Sequence, residues 1–330
     1  MTHLDEGYVA LPAYATRASS MHKLVLDGVN EANRSTIVYS GTGPGTVPIH
    51  FRADGIVLFE FDKVAEYAGG AVDPYEVSDT VGVPSHAQRA NEARDLIRER
   101  RYRYMNAFLT CFNVALNKTN ALFVPCCSAH YIWARKEQDR WHLRDNGSGG
   151  LATLPIFPEA VPIETLSASL SNFNQIRASQ LEEALQTLDL FYRVAFHMSN
   201  HEFQTVIILG WAIVEGGQNI IWEEFVRGGY KSINPNSNIK GARLKNLLND
   251  RNYTASIKGQ MLAFSGVYSD QDIELIDTVR RKRNSCMHGL DPMSIGDAFS
   301  AMWACQRIVE KAFDLKIAPF GNPSSWDYKR

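Results

Sequence analysis

TVRRKRNSCMHGLDPMS, residues 278–294, decides how the C-terminal half of this 330-residue chain is read. Its spacing is helical, yet it sets Arg283 and His288 five residues apart, follows the arginine with Asn284, and stops at Gly289 and Pro292. Take Ile276 as origin and advance about 100° per residue. Leu275, Ile276, Val279, Cys286 and Met287 then gather on one face, with Arg283 near its middle and Arg281 pointing away. An arginine on an apolar stripe needs an anionic partner or an interface, because an unpaired buried guanidinium is expensive. Arg280, Arg281 and Lys282 read as cations at a helix end, where the dipole favours them. His288 falls about 140° from Arg283 on an ideal helix. The two share a site only if the helix ends or distorts near Gly289, or if a second copy of the chain brings an equivalent pair alongside. Asp291-Pro292 sets an end soon after Leu290.

Helices surround this stretch. Leu181, Leu185, Leu188, Tyr192 and Ala195 recur at three- and four-residue steps. Ser199 or Asn200 is the expected cap of a second helix through FQTVIILGWAIVEGGQNIIWEEFV, 203–226. NPNSN, 234–238, is a turn before shorter helices near 240–249 and 254–264. Ser269 or Asp270 starts the helix that runs into the opening stretch. Ser294 with Asp297 resembles a capping box for a last helix striped by Ile295, Phe299, Met302, Cys305, Val309 and Phe313. The tail after Ala318 holds Pro, Gly and Ser and reads as loose.

Upstream the pattern is mixed. STIVYSG (35–41), VPIHFRA (47–53) and GIVLFEFDK (55–63) are short runs rich in β-branched and aromatic residues, separated by glycine and proline, as strands are. A long helix is predicted from a cap at Ser85 to about Leu116, followed by two or three strands within ALFVPCCSAHYIWAR (121–135) and DRWHLRD (139–145). The polar, serine-rich LSASLSNFNQIRAS, 166–179, reads as a boundary, giving domains 1–175 and 176–330. Two domains are also what this length suggests, since single cores stop growing near about 250–300 residues.

A composition 45% apolar and 21% charged is that of a folded globular protein, and a net charge of −2 supplies no global attraction for nucleic acid or anionic membrane. The five cysteines form no CxxC pair and read as reduced core residues. MTHLDEGYVALPAYA, 1–15, carries acids and a proline where a secretory signal needs a basic end and an apolar run. Val206–Val214, the most apolar window, is about half a bilayer span and is followed by Glu215. A cytoplasmic protein without a membrane span is the expectation.

The Arg-Asn-x-x-x-His of RNSCMH at a helix end, followed by glycine and a closing amphipathic helix, resembles the signature of the HEPN superfamily, compact helical domains of prokaryotic toxins and antiviral systems. The resemblance spans roughly residues 180–316 and includes the long apolar helix with an internal acid and tryptophans. It implies an α+β N-terminal domain followed by an all-α HEPN-like bundle, and a cytoplasmic homodimer whose two motifs face each other. It also implies metal-independent cleavage of RNA, without a cofactor, in a toxin–antitoxin or antiphage setting, with an antitoxin or regulatory protein as a further partner. The residue types suit that chemistry. A histidine titrates near neutral pH and can take the 2′-OH proton, and an arginine fork can hold the phosphate. Arg283, Asn284 and His288 are the candidate catalytic residues, with Asn284 orienting the histidine or holding a phosphate oxygen. Glu215 is a supporting candidate that orients Arg283 or lines the site, against a structural acid paired elsewhere, with Arg193 for instance. Arg280, Arg281, Lys282, Arg101 and Arg103 are candidate RNA contacts, the last two from RERRYRYM (98–105), which also reads as a solvated helix face. The alternative is a catalytically inactive HEPN-like module that dimerises and binds a ligand or protein.

Two weaker motifs are set aside. His197 and His201 have the spacing of a metal pair, but Ser199-Asn200 between them reads as a helix break. SGTGPGT, 40–46, lacks the Lys-Ser/Thr of a phosphate loop and reads as a hairpin turn.

Overall fold

The structure, a computed structural model, describes residues 6–10, 37–52, 56–67, 84–116, 132–137, 140–144, 163–249, 253–289 and 291–317. The predicted strand residues 121–131, Cys126 and Cys127, and the tail after Ala318 lie outside them. The chain divides into two compact units between Asp189 and Leu190.

Among the described residues of the first unit, six strands form one antiparallel sheet in the order β2-β3-β4-β1-β5-β6. They are β1 (Glu6–Ala10), β2 (Ile37–Thr42), β3 (Pro48–Arg52), β4 (Ile56–Phe59), β5 (Ile132–Glu137) and β6 (Arg140–Arg144). β1 is central, with Tyr8 opposite Leu58 of β4 and Ile132 of β5. No strand is predicted in this segment, 1–15, from the sequence. EGYVA is short and has one glycine and one acid, so its strand character comes from partners on both sides. SGTGPGT makes the β2–β3 hairpin: Gly43 N–H bonds Val47 O, and Gly45 and Thr46 turn through φ of 69° and 66°.

Helix α1 (Pro84–Leu116) supplies Tyr104 and Phe108 to an aromatic core with Phe51, Phe59 and Phe61 of the sheet layer. Residues 166–179, expected as a polar boundary, instead contribute most of helix α2 (Ile163–Phe173). Leu166, Ser169, Leu170 and Phe173 fall at i, i+3, i+4 and i+7 and are buried. Three serines masked an apolar stripe that is only one residue wide per turn. Phe173 closes edge-on against Tyr104 and Phe108, 5.1 and 5.7 Å between ring centres.

The unit division falls inside α3 (Leu181–Ser199). In the second unit follow α4 (Phe203–Arg227), α5 (Gly241–Asn249), α6 (Ala255–Phe264), α7 (Asp270–Asn284) and α8 (Ile295–Phe313). The start of α4 corrects the expected cap. Its N-cap is Glu202, reached through His201 at a positive φ of 60°, and no side chain there caps the helix. Ser269 with Asp272 and Ser294 with Asp297 form complete capping boxes for α7 and α8. Among the described residues α4 is the helix long and apolar enough to cross a membrane. Val206, Ile207, Gly210, Trp211, Ile213, Val214, Gly217 and Ile221 are nevertheless buried on one side of it, and α8 is its principal neighbour.

Because Phe173 is fully buried, Phe173→Ala is expected to cost about 3–5 kcal/mol. Ser171→Ala on the exposed side of α2 should stay within about 0.5 kcal/mol. Urea denaturation of the two variants checks that α2 is core and not linker.

Candidate ribonuclease site at the end of α7

Ser269 and Asp272 start α7, and Lys311 of α8 lies 3.4 Å from Asp272 Oδ2. At the other end Lys282 Nζ meets Asp297 Oδ1 at 2.8 Å, tying the last turn of α7 to the first turn of α8. Burial pushes the Asp297 carboxyl up, but hydrogen bonds from Lys282 and Ser294, with the charge of Lys282, outweigh it and leave the group below its ordinary value. The chain between these anchors does not end in a plain α-turn. It widens into a π-turn, Ser285–Gly289. The Ser285 hydroxyl donates to the Asp291 carboxylate and holds the wide turn from outside.

A turn closed by i→i+5 bonds rotates only about 80° per residue, so the separation of Arg283 and His288 shrinks from about 140° to below about 90°. The distortion that the spacing demands near Gly289 is therefore present, and by this geometry it narrows the angle between the two positions. Cys286 is the residue of the π-turn that is buried; Met287, expected on the buried face, is 47% exposed.

The four cations differ in their partners. Arg280 Nε sits 3.1 Å from Asp277 Oδ1, and Lys282 is held by Asp297. Arg281 is exposed and donates from Nε to the Asp277 carbonyl, with Nη2 3.4 Å from Thr278 Oγ1. Arg283 is half-buried and has no carboxylate within ion-pair reach among the described residues. Its Nη1 donates to Asn284 Oδ1 at 3.1 Å. Asn284 therefore orients the arginine, a contact that neither role expected of it, on the histidine or on a phosphate oxygen, had foreseen. His288 is exposed.

Two expected contributors belong elsewhere. Glu215 is exposed, on the face of α4 that carries Ala212, Gly216 and Asn219. It is near Lys258 of α6: burial draws the Lys258 ammonium below its usual value and the charge of Glu215 opposes this. The exposure of Glu215 corrects the expectation of a buried structural acid. Arg101 is 1% exposed and gives Nε and Nη2 to Tyr67 O at 3.2 and 2.7 Å, with its guanidinium 5.6 Å from the Phe61 ring centre. Sealed in this way it is no RNA contact. Arg103 is half-buried between Glu99 and Glu182, 3.8 and 3.7 Å away, so its charge is already met by acids. His197 Nδ1 lies 2.6 Å from Glu202 Oε2, the residue that starts α4.

The acids Asp277 and Asp297, which hold the cations, and Asp291, which accepts from Ser285, were not expected from the sequence as part of the site. Asp277 carried a signal, three residues before Arg280 on one helix face. No family model, curated protein or solved structure matches the chain.

A carboxyl held below its ordinary 3.8 stabilises the fold fully above that value, and the contribution fades as pH falls through its folded value. Asp297→Asn should therefore cost about 1 kcal/mol at pH 7. The gap to the wild type should close below pH 3.8, as read by denaturation at a series of pH values.

Proposed function

We propose that the second unit is a HEPN-like domain that cleaves RNA endonucleolytically without a metal ion, acting as a homodimer. The observation that carries the reading is Arg283. A half-buried guanidinium held by an amide, with no carboxylate in reach among the described residues, keeps its charge available for a phosphate. The π-turn supports it by narrowing the angle between Arg283 and His288, and π-bulges are frequent at functional sites.

In this reading His288 takes the proton of a ribose 2′-OH, and the oxygen attacks the adjacent phosphorus. Arg283 neutralises the charge growing on the non-bridging oxygens. The bond to the 5′-oxygen breaks, and that oxygen is protonated by an imidazolium or by water. The products are a 2′,3′-cyclic phosphate and a 5′-hydroxyl. Arg281, exposed beside the site, contacts the RNA backbone; Arg280 and Lys282, each already held by an acid, contribute only the local field. A second copy supplies the facing Arg283 and His288. The protein is a cytoplasmic toxin or antiphage effector, restrained by an antitoxin or regulatory protein.

His288→Ala and Arg283→Ala are each expected to lower cleavage of bulk RNA by about 10²-fold or more in EDTA, with the dimer unchanged by light scattering. Undiminished cleavage in both variants would sink the assignment. Absence of cleavage by the wild-type dimer would favour the non-catalytic binding module.

A further inference from the structure

In the first unit three neighbouring strands bring a serine, a histidine and a carboxylate into line. Ser40 of β2 and His50 of β3 are direct cross-strand partners, so both side chains leave the same face of the sheet. Ser40 Oγ lies 2.8 Å from His50 Nδ1. Strand β4 pairs Leu58 with His50, and Glu60, two residues further on, places Oε1 3.3 Å from His50 Nε2. That contact is too oblique for an ideal hydrogen bond, but it puts charge directly against the ring. Glu60 is 3% exposed, and Lys63 grips its second oxygen.

These placements decide where the protons are. The contact with His50 and the ammonium of Lys63, against the opposing effect of burial, hold the Glu60 carboxyl down to about 2, so it is a carboxylate at neutral pH. A neutral imidazole that faces a carboxylate at Nε2 keeps its proton there. Nδ1 is then an acceptor, and the Ser40 hydroxyl must donate to it. Nucleophile, base and orienting acid therefore stand in the order that activates a hydroxyl. Their exposure is graded as such a relay requires: Ser40 is open to solvent, His50 largely covered and Glu60 sealed. Strand β2 is also the edge of the sheet among the described residues.

We propose that Ser40, His50 and Glu60 form a second, nucleophilic site that accepts acyl groups from small activated esters or thioesters. Ser40 Oγ attacks the carbonyl carbon while His50 Nδ1 takes the hydroxyl proton. The carbon to leaving-group bond then breaks, and His50 returns the proton to the departing alkoxide or thiolate. Water attacks the acyl-serine with His50 again as base, so that ester and water give acid and alcohol and the serine is restored. Such donors carry good leaving groups and so need less stabilisation of the tetrahedral intermediate than an amide does. The site shares no residue with the proposed ribonuclease centre and stands or falls separately from it.

The test treats the full chain with a fluorophosphonate, and separately with p-nitrophenyl acetate, and reads intact mass and a peptide map. A single adduct on Ser40 is expected, absent in Ser40→Ala, and formed at least tenfold more slowly in His50→Gln. Ser40 is exposed, so Ser40→Ala should fold as the wild type does, which circular dichroism checks. A wild-type protein that acquires no adduct on Ser40 overturns the proposal. So does a folded His50→Gln variant labelled at the wild-type rate, which would leave the Ser40–His50 bond a staple of the hairpin.

Discussion

The close approach of α4 and α8 is the constraint on which the second unit depends. A Cβ at Gly210 would stand 3.2 Å from the Ala301 Cβ and 3.4 Å from Cys305 Sγ, and one at Gly217 would collide with Ile308. The two glycines are seven residues apart, two helical turns, and so line one ridge. Opposite them α8 presents Ala298, Ala301, Ala304 and Ala312, all buried. Glycine in a helix interior costs about 1 kcal/mol against alanine, and these two are kept where any side chain would force the helices apart. Cys305 Sγ even reaches the Gly210 carbonyl, at 3.4 Å. With α8 fixed against α4, its first turn becomes a rigid anchor for Lys282, and the end of α7 has a defined position.

That rigidity gives meaning to what is left unpaired. Evolution of a helix end for stability alone would set an acid against every arginine that is withdrawn from water. Here the acids go to Arg280 and Lys282, while Arg283, the more inward of the arginines by helical geometry, receives an amide oxygen. An amide orients a guanidinium without neutralising it. The wide turn that follows is a second local cost, because π geometry is rare and needs support, here from the Ser285 to Asp291 bond. Two adjacent departures from the stable choice at one helix end are what a ligand site looks like when its ligand is absent from the energetic balance.

How far the sequence was legible follows from how local each signal was. The stripe of α3, the start of α7 at Ser269 or Asp270, the capping box at Ser294 and the β2–β3 hairpin depend on residues within a few positions of one another, and they read correctly. β1 and α2 did not, since each draws its stability from partners more than forty residues away. Glu215 was misplaced for a different reason. A helix so apolar was read as buried all round, whereas Ile208, Ala212, Glu215 and Asn219 form its wet side. At the site, the five-residue spacing showed that the helix had to distort, but not by which turn. The partners of the cations required two helices to be seen together.

The two histidines on which chemistry is placed are prepared in opposite ways, and the contrast bears on what each needs. His50 has both ring nitrogens faced, one by a hydroxyl and one by a carboxylate, so its tautomer and direction are set within one chain. His288 stands exposed on a turn, and neither nitrogen has a partner among the described residues. A general base so placed loses much of its advantage to rotational freedom and to water. If it acts, the group that fixes it comes from outside the described residues, as the 2′-hydroxyl of a bound RNA or the side chains of a second copy closing over it would. The exposed histidine therefore gives the bound RNA, or the second copy of the ribonuclease reading, a chemical task of its own, that of fixing the ring.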